Sequence, residues 1–287
     1  MKKYLIKSFC KINLSLRVLK KLNNGYHNIS SLITFCDLHD VISICKNRKS
    51  NDKITFSGKF KKGINKKSNT ITKLLFILRK KNFFKKQYFN INVQKNIPHG
   101  SGLGGGSSNA ANLLNFFNLK MNLRLDNNKI DKIANQVGFD VVVNLKKKNA
   151  FFTGTKEKLL RIKKRFGLNI LIVYPNIICS TKKIYEKNKT FTSLRTRSSF
   201  YIENKKKLIT LLKNDNNDLE KTVVKLYPKV GRIVDLISIQ NGCYFSRITG
   251  SGSACIGIFS DMKSANYTKK LIKQKFPKYW SVTSKTI

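Results

Sequence analysis

The stretch "NIPHGSGLGGGSSNAANLL", residues 96–114, decides how this chain folds. Between residues 100 and 108 every residue except Leu103 is Gly or Ser, and an apolar helical pattern starts at Ala110. The preceding segment "QYFNINVQKNIP" alternates in polarity, which predicts a strand that stops at Pro98. The sequence therefore places a Gly–Ser loop between a strand and a helix.

Such a loop is suited to holding an anion. Glycines accept positive φ angles and carry no side chain, so backbone N–H groups can close around a phosphate. The following helix adds unpaired N–H groups and the positive end of its dipole. Ser107 and Ser108 can cap this helix, or offer hydroxyl groups to a phosphate or a metal ion. The loop is predicted to be a phosphate cradle; a linker or structural turn is the alternative, which the flanking strand and helix disfavour.

The charge balance is strongly basic, with 58 Lys and Arg against 14 Asp and Glu and a net charge of +44. A nucleic-acid-binding protein is one alternative, since Lys and Arg neutralise phosphates. Lys recurs along the whole chain, however, together with abundant Asn and Ile. This pattern favours compositional drift, and we expect no specific nucleic-acid partner.

Length and composition predict a folded protein of the cytoplasm. The 287 residues suit two lobes or one large domain, and the 41% of hydrophobic residues suffices for a packed core. We expect no membrane partner, because no apolar run is long enough to cross a bilayer and the N-terminus lacks the features of a signal peptide. The six cysteines lie far apart without a C-x-x-C pair, which is typical of reduced thiols.

Strand and helix patterns alternate along the chain. Polarity alternation predicts strands over residues 4–18 and 37–46, the second entered through a turn in "DLHDVISIC". Helical spacing predicts capped helices in "SNTITKLLFILRK" and over residues 126–137, and "LNILIVYP" predicts a buried strand. Towards the C-terminus, "LYPKVGRIVDLISIQNG" predicts a helix closed by Gly242. "CYFSRITGSGSACIGIF" predicts a strand, a Gly–Ser turn and a further strand or helix start.

Three motifs, in order between residues 8 and 259, resemble those of the GHMP kinase superfamily. They are the Lys-x-Asn strand followed by Asn-Gly-Tyr-His in "KSFCKINLSLRVLKKLNNGYH", the loop "PHGSGLGGGSSNAA", and "SRITGSGSACIGIF". The Gly-Tyr-His element together with the Gly-rich loop resembles in particular the kinases that phosphorylate the 2-hydroxyl of 4-diphosphocytidyl-2-C-methyl-D-erythritol in the non-mevalonate (MEP) isoprenoid pathway. A homoserine or mevalonate kinase is the alternative within the superfamily, although such enzymes have no need of the Gly-Tyr-His element.

The resemblance implies an α+β fold of two lobes. The N-terminal lobe, residues 1–160, would resemble domain 2 of ribosomal protein S5, and the C-terminal lobe, residues 161–287, would be ferredoxin-like. ATP, carried as its Mg²⁺ complex, would bind beneath the Gly-rich loop, with Ser108 as the candidate protein ligand of the metal. The implied ATP-binding residues are Pro98, His99, Gly100, Ser101, Gly102, Leu103, Gly104, Gly105, Gly106, Ser107 and Ser108. We expect a monomer or a weak homodimer.

The resemblance also assigns the catalytic residues. Asp140, in "GFDVVVNL", matches the family's catalytic Asp, which takes the proton of the acceptor hydroxyl. Lys11 matches the Lys beside that Asp, and Asn13 matches a neighbour that holds the substrate. One more surface cation is the alternative for Lys11. Phe139 and Val142 depart from the family pattern, which has Ala and Pro at these positions.

The remaining implied residues recognise the CDP-linked small-molecule substrate. Tyr26 and His27 match the family's pyrimidine-recognising pair, since an aromatic ring can stack on cytosine and an imidazole can bond to its edge. Tyr185 falls where the family has an aromatic residue on the opposite face of the base, and Thr181 precedes it at the family's spacing. A core aromatic is the alternative for Tyr185.

Overall fold

The structure is a computed structural model that describes residues 2–84, 86–154, 158–194, 202 and 204–287. The chain divides into two compact units. The first unit comprises Met1–Lys11, Leu38–His99 and Gly104–Lys147, and the second comprises Ile12–Asp37, Gly100–Leu103 and Lys148–Ile287. The units therefore interleave along the sequence, whereas the sequence analysis gave a single boundary at residue 160. That boundary stays a prediction.

Strands and helices are mixed in both units, which confirms the α+β class. The strands are β1 (Tyr4–Asn13), β2 (Arg17–Lys21), β3 (His27–Asn47), β4 (Lys53–Ser57), β5 (Tyr88–Gln94), β6 (Ala150–Gly154), β7 (Lys158–Arg161), β8 (Asn169–Tyr174), β9 (Cys243–Ile248), β10 (Cys255–Phe259) and β11 (Trp280–Lys285). The helices are α1 (Thr70–Lys80), α2 (Gly105–Lys120), α3 (Asn127–Val137), α4 (Phe139–Asn144), α5 (Thr181–Lys187), α6 (Lys205–Lys213), α7 (Glu220–Leu226), α8 (Pro228–Ser238) and α9 (Met262–Lys275).

In the first unit, helices pack on a sheet that includes β4, β5 and the end of β3. Strand β5 pairs in parallel with β4 and antiparallel with residues 41–47 of β3. Alternate residues of β5, which are Phe89, Ile91 and Val93, enter the core with the apolar faces of α1 and α2. The alternation of "QYFNINVQ" thus produces the strand that it predicted.

Two of the predicted helix starts in the first unit are confirmed. The side chain of Asn69 accepts hydrogen bonds from the backbone N–H groups of Ile71 and Thr72, and the Thr72 hydroxyl accepts one from the Asn69 N–H group. This capping box fixes the start of α1. Asp126 caps α3 by accepting a bond from the N–H group of Lys129. Both caps use short polar side chains, whose oxygens reach the first free N–H groups of a helix.

The second unit contains a four-stranded antiparallel sheet in the order β11-β8-β10-β9. Helices α5 to α8 connect β8 to β9, and α9 connects β10 to β11. This arrangement is the ferredoxin-like one that the sequence analysis expected. All six residues of β8 are buried, as its continuous apolar run predicted. Strands β2, β6 and β7 and the start of β3 form antiparallel pairs in the same unit.

Strand β3 contradicts the predicted turn in "DLHDVISIC". It runs over 21 residues and passes through Asp37 and Asp40 without interruption. Acidic residues favour turns where their side chains bond to the local backbone. The Asp40 carboxylate instead accepts hydrogen bonds from residues more than fifty positions away. Tertiary bonding therefore overrides the local turn preference.

Two helix boundaries also differ from the prediction. Helix α2 begins at Gly105 rather than at Ala110, with Gly104 as its N-cap, so Ser107 and Ser108 lie inside the helix and do not cap it. Helix α8 ends at Ser238, and Gly242 lies in the turn before β9. Glycines carry no apolar side chain, so the spacing of apolar residues does not show whether a glycine belongs to a helix or to a turn.

None of the helices in the described ranges is long and apolar enough to cross a membrane.

The six cysteines are free thiols. Burial raises the pKa of the Cys179 and Cys243 thiols to about 11, and that of Cys255 well above its usual range. These three groups stay protonated near neutral pH and are therefore poor nucleophiles.

Candidate active site

Asp140 and Lys11 form an ion pair in the first unit. The Nζ atom of Lys11 lies 3.4 Å from Oδ2 of Asp140. Lys11 stands near the end of β1, and Asp140 is the second residue of α4. The Lys11 side chain is 5% exposed and the Asp140 side chain 46%. A ligand can therefore reach the carboxylate, while the cation beside it is buried.

The start of α2 lies against the same lysine. Gly104 has a left-handed backbone with φ +66°, and a Cβ atom there would lie 3.0 Å from Cε of Lys11. The same Cβ position is 3.9 Å from Nδ2 of Asn144, which donates a 2.6 Å hydrogen bond to the backbone oxygen of Asp140. Lys11, the start of α2 and the helix of Asp140 thus meet at one point of the first unit.

Asn144 was not among the residues predicted from the sequence. Its side chain bonds back to the carbonyl group four residues earlier, a pattern open to Asn on a helix. The available signal was its spacing of four residues from Asp140 in "GFDVVVNL". A helix prediction for that segment would have placed Asn144 directly above the acid.

The first turn of α2 has the properties of an anion cradle. Its N-cap residue, Gly104, has no side chain that could bond to the first N–H groups. Its first N–H groups therefore remain available to a ligand. A Cβ atom on Gly105 would lie only 3.0 Å from Cγ2 of Ile97, so this turn packs closely at position 105.

Ser108 is engaged inside the first unit. It is buried, and its hydroxyl group donates to the Phe9 carbonyl at 2.7 Å and accepts from the Ser8 hydroxyl at 2.9 Å. These bonds hold α2 against β1 and favour a structural role over the metal-ligand role expected from the sequence. Ser107, one residue earlier, is half-buried.

Several residues of the expected ATP-binding run are also committed to packing. Leu103 is fully buried, and Ser101 and Pro98 are buried as well. The Nε2 atom of His99 lies 2.8 Å from the backbone oxygen of Lys62, within hydrogen-bonding distance. In the part of the run that lies in the first unit, Gly106 is exposed, Gly104 and Ser107 are half-buried, and Gly105 is buried.

In the second unit, the turn between β9 and β10 holds residues 100–103. The N–H group of Ala254 donates to the Ser101 carbonyl at 3.0 Å. Gly102 has φ +82°, and a Cβ atom there would lie 2.2 Å from the backbone oxygen of Thr249. The Gly-rich third motif thus packs directly against the start of the Gly-rich loop, which requires glycine at position 102.

The same turn contacts two of the predicted substrate residues. The backbone N–H group of Asn13 donates to the Thr249 hydroxyl at 2.9 Å, and its Nδ2 donates to the Ser31 hydroxyl at 2.7 Å. The hydroxyl groups of Thr181 and Ser251 lie 2.9 Å apart. Thr249 and Ser251 were not singled out from the sequence, although both belong to the quoted third motif.

The predicted pyrimidine-binding residues also lie in the second unit. The rings of His27 and Tyr185 pack with centroids 5.1 Å apart and planes tilted by 38°. A base between two rings needs a contact of about 3.5 Å on each side, so none fits between these two. The Tyr26 side chain is 73% exposed. Burial, and to a lesser extent the charge of Lys21, lower the pKa of His27.

The described part of the chain contains no group of three or more His, Cys, Asp or Glu side chains that could hold a metal ion. Mg²⁺ often needs no such cage, because substrate phosphates supply much of its coordination.

Two family models identify the class of protein as the GHMP kinases. The family model "GHMP kinases N terminal domain" matches residues 69–148, and the model "GHMP kinases C terminal" matches residues 202–278. These segments lie on either side of the expected boundary at residue 160.

Full-length relatives make the identification specific. A 4-diphosphocytidyl-2-C-methyl-D-erythritol kinase of Pelagibacter ubique is 39% identical over 100% of both chains. A kinase of the same name from Caldicellulosiruptor bescii is 34% identical over 94% of this chain and 95% of its own. The chain therefore belongs to the 4-diphosphocytidyl-2-C-methyl-D-erythritol kinase family of GHMP kinases.

Solved structures confirm the fold. A crystal structure of 4-(cytidine 5'-diphospho)-2C-methyl-D-erythritol kinase has a TM-score of 0.75 at 21% identity, covering 98% of this chain and 99% of that one. Homoserine kinase from Cytophaga hutchinsonii has a TM-score of 0.73 at 15% identity, covering 100% and 95%. The fold is thus common to the class, and the two-lobed GHMP kinase prediction is confirmed.

The packing of the Gly-rich loop predicts opposite effects for two glycine substitutions. Gly102→Ala should lower the free energy of unfolding by about 1–3 kcal/mol through backbone strain alone, and the contact with the Thr249 carbonyl should add to this loss. Gly106→Ala is the matched control, since its Cβ atom would meet nothing closer than 3.4 Å and it lies within a helix. It should leave stability unchanged or raise it by up to about 1 kcal/mol. Urea unfolding followed by circular dichroism measures the free energy of unfolding of both variants. Equal changes in Gly102→Ala and Gly106→Ala would contradict the close packing at position 102.

Proposed function

We propose that this protein transfers the γ-phosphoryl group of ATP to the 2-hydroxyl of 4-diphosphocytidyl-2-C-methyl-D-erythritol, a step of the MEP pathway. The names of the full-length relatives support the substrate. The observation that carries the chemistry is the accessible carboxylate of Asp140, 3.4 Å from the buried ammonium group of Lys11.

Phosphoryl transfer requires little covalent chemistry from a protein. It requires an acceptor hydroxyl held in line with the phosphorus, compensation of charge on the phosphoryl oxygens, and a group that takes the hydroxyl proton. In this proposal the hydroxyl oxygen bonds to the γ-phosphorus while the bond between that phosphorus and the leaving ADP breaks. Asp140 accepts the proton of the hydroxyl group. Lys11 fixes the carboxylate and adds positive charge beside it.

The start of α2 supports the assignment of the phosphate site. Its first N–H groups have no side-chain cap among the described residues, and its glycines leave room for a ligand close to the backbone. We propose that Ser107, rather than the bonded Ser108, supplies the protein hydroxyl for Mg²⁺. When bound, that ion would offset the negative charge of the phosphates.

We further propose that His27 reads the edge of cytosine. Its lowered pKa keeps the imidazole neutral at physiological pH, with one nitrogen as a donor and the other as an acceptor. The acceptor nitrogen suits the exocyclic amine of cytosine, which uracil lacks. Packing on the half-buried Tyr185 fixes the imidazole ring, and the exposed ring of Tyr26 offers a stacking surface.

Cellular context is proposed on chemical grounds. All six cysteines are free thiols, which supports a reducing compartment such as the cytoplasm. Lys residues recur along the whole sequence, so we propose no specific nucleic-acid partner for the charge of +44. The expected state of monomer or weak homodimer stays a prediction.

Asp140→Asn should preserve the shape of the side chain while removing its ability to take a proton. We expect kcat to fall by roughly 10²–10⁴-fold with little change in the KM for ATP, because the phosphate cradle is unaltered. Steady-state kinetics with the CDP-linked alcohol measure both constants. Asp131→Asn, on the surface of α3, is the matched control for the loss of one negative charge in the same unit. Near wild-type kcat in the Asp140 variant, with the chemical step limiting, would exclude the role of base.

Base recognition predicts a second set of kinetic effects. Tyr185→Ala should lower kcat/KM for the CDP-linked substrate by roughly 5- to 150-fold, since one lost base stack costs about 1–3 kcal/mol. The exposed Tyr267 of α9 provides the control variant Tyr267→Ala.

The role of His27 is tested by base and by pH. Wild type should prefer the CDP-linked substrate to its UDP-linked analogue, and His27→Ala should reduce that preference. Because its folded pKa lies below the usual value of about 6.5, protonation should remove the acceptor and weaken substrate binding only as the pH falls below that value. Equal use of both bases by wild type, or an unchanged pH profile in His27→Ala, would contradict the assignment.

A further inference from the structure

Asp40 is a fully buried acid on β3 that the proposed chemistry does not use. Its Oδ1 atom accepts hydrogen bonds from the backbone N–H groups of Asn96 at 2.8 Å and Ile97 at 2.9 Å. Its Oδ2 atom accepts from the ammonium group of Lys95 and, at 3.0 Å, from Nδ2 of Asn109. One carboxylate of the first unit therefore satisfies four donors.

These donors stand at the two ends of the Gly-rich loop. Asn96 and Ile97 are the last residues before the run 98–108, and Asn109 is the first residue after it. Within the run, Gly100, Gly102 and Gly104 have positive φ angles. Glycines give a chain the greatest conformational freedom, so ordering the run requires restraint from outside it. Asp40 restrains both of its ends at one point.

Asp40 also balances a charge directly beneath the first turn of α2. The buried Lys95 side chain brings its Nζ atom within 3.2 Å of the position that a Cβ atom of Gly105 would occupy. A buried ammonium group without a partner is strongly destabilising, so the Asp40 carboxylate fixes the position of the Lys95 ammonium group. The position of the helix start is therefore coupled to the Lys95–Asp40 ion pair.

We propose that Asp40 is a positioning residue for the phosphoryl donor. It touches no reacting atom; it acts by fixing the entry to the Gly-rich loop, the second turn of α2 and the ammonium group of Lys95 in one arrangement. The inference rests on the proposed function in one respect, namely that this helix start receives the phosphates of ATP.

The first test separates the two substrates kinetically. Asp40→Asn can keep an acceptor for the backbone N–H groups but loses the charge opposite Lys95. Misplaced binding groups cost on the order of 10- to 100-fold, so we expect kcat/KM for ATP to fall by that factor. The KM for the alcohol substrate, measured at saturating ATP, should change less than about twofold. A variant with an unchanged kcat/KM for ATP, or with equal losses for both substrates, would overturn the proposal.

Asp52 provides a matched control in the same unit. Its carboxylate accepts two bonds from Arg79, both 2.8 Å, and one from the Phe89 N–H group at 2.9 Å. Asp52→Asn therefore removes a comparable bonded charge that does not contact the Gly-rich loop. It should lose stability while keeping the wild-type kcat/KM for ATP. A similar loss of kcat/KM in this variant would mean that any damaged ion pair of the unit has the same effect.

A second readout does not depend on catalysis. Hydrogen–deuterium exchange without nucleotide should be faster in Asp40→Asn for amides of residues 96–106, and unchanged for β8. If wild type fails to phosphorylate the CDP-linked alcohol, the proposed function fails, while this exchange measurement still tests the role of Asp40.

If Asp40→Asn does not fold, Asn109→Ala removes only the bond between Asp40 and α2. It should show the lower kcat/KM for ATP and the faster exchange over residues 96–106, both to a smaller degree. Unchanged exchange over residues 96–106 in the folded variant would overturn the proposal.

Discussion

The buried ammonium group of Lys11 constrains everything around it in the first unit. Burying a charge costs several kcal/mol unless a partner and hydrogen bonds compensate. The Asp140 carboxylate lies 3.4 Å away on one side, and Gly104, with no side chain, lies on another. Helix α4 therefore presents its first turn to β1, and the N-cap of α2 is a glycine with a left-handed backbone. The acid and the start of α2 meet at the ammonium group of Lys11.

In the second unit, the close approach of the Thr249 carbonyl group to Gly102 constrains the residues around it. The carbonyl group of Thr249 occupies the space that a side chain at position 102 would need, and Thr249 also accepts a bond from Asn13. The Gly-rich third motif is therefore a packing partner of the Gly-rich loop and of a predicted substrate residue. In the same unit, the imidazole ring of His27 packs on the ring of Tyr185, and the role of the Gly-Tyr-His element in base recognition stays a proposal.

Local signals in the sequence predicted local structure well. Asn69 and Asp126 cap the helices that their positions indicated, and the apolar run of β8 is buried throughout. These features depend on residues within one or two turns of each other, which a sequence displays directly. The pairing of Lys11 with Asp140 was available only through family resemblance, because 129 positions separate two residues that meet in space.

The turn predicted in "DLHDVISIC" was wrong for a nonlocal reason. By local rules Asp40 favours a turn, but its four hydrogen-bond donors, which are Lys95, Asn96, Ile97 and Asn109, lie far away in the sequence. The bonds of Ser108 to Ser8 and Phe9, which favour a structural role, are also nonlocal. A polar side chain has the same appearance in a sequence whether it binds a ligand or another part of the chain.

The most direct test of the proposed activity is a coupled ADP-release assay in which the CDP-linked alcohol, homoserine and mevalonate are offered in turn, with the phosphorylated position read by ³¹P NMR. We expect ADP release with the CDP-linked alcohol alone and a new phosphate on its 2-hydroxyl. Turnover of homoserine or mevalonate instead would contradict the proposed function.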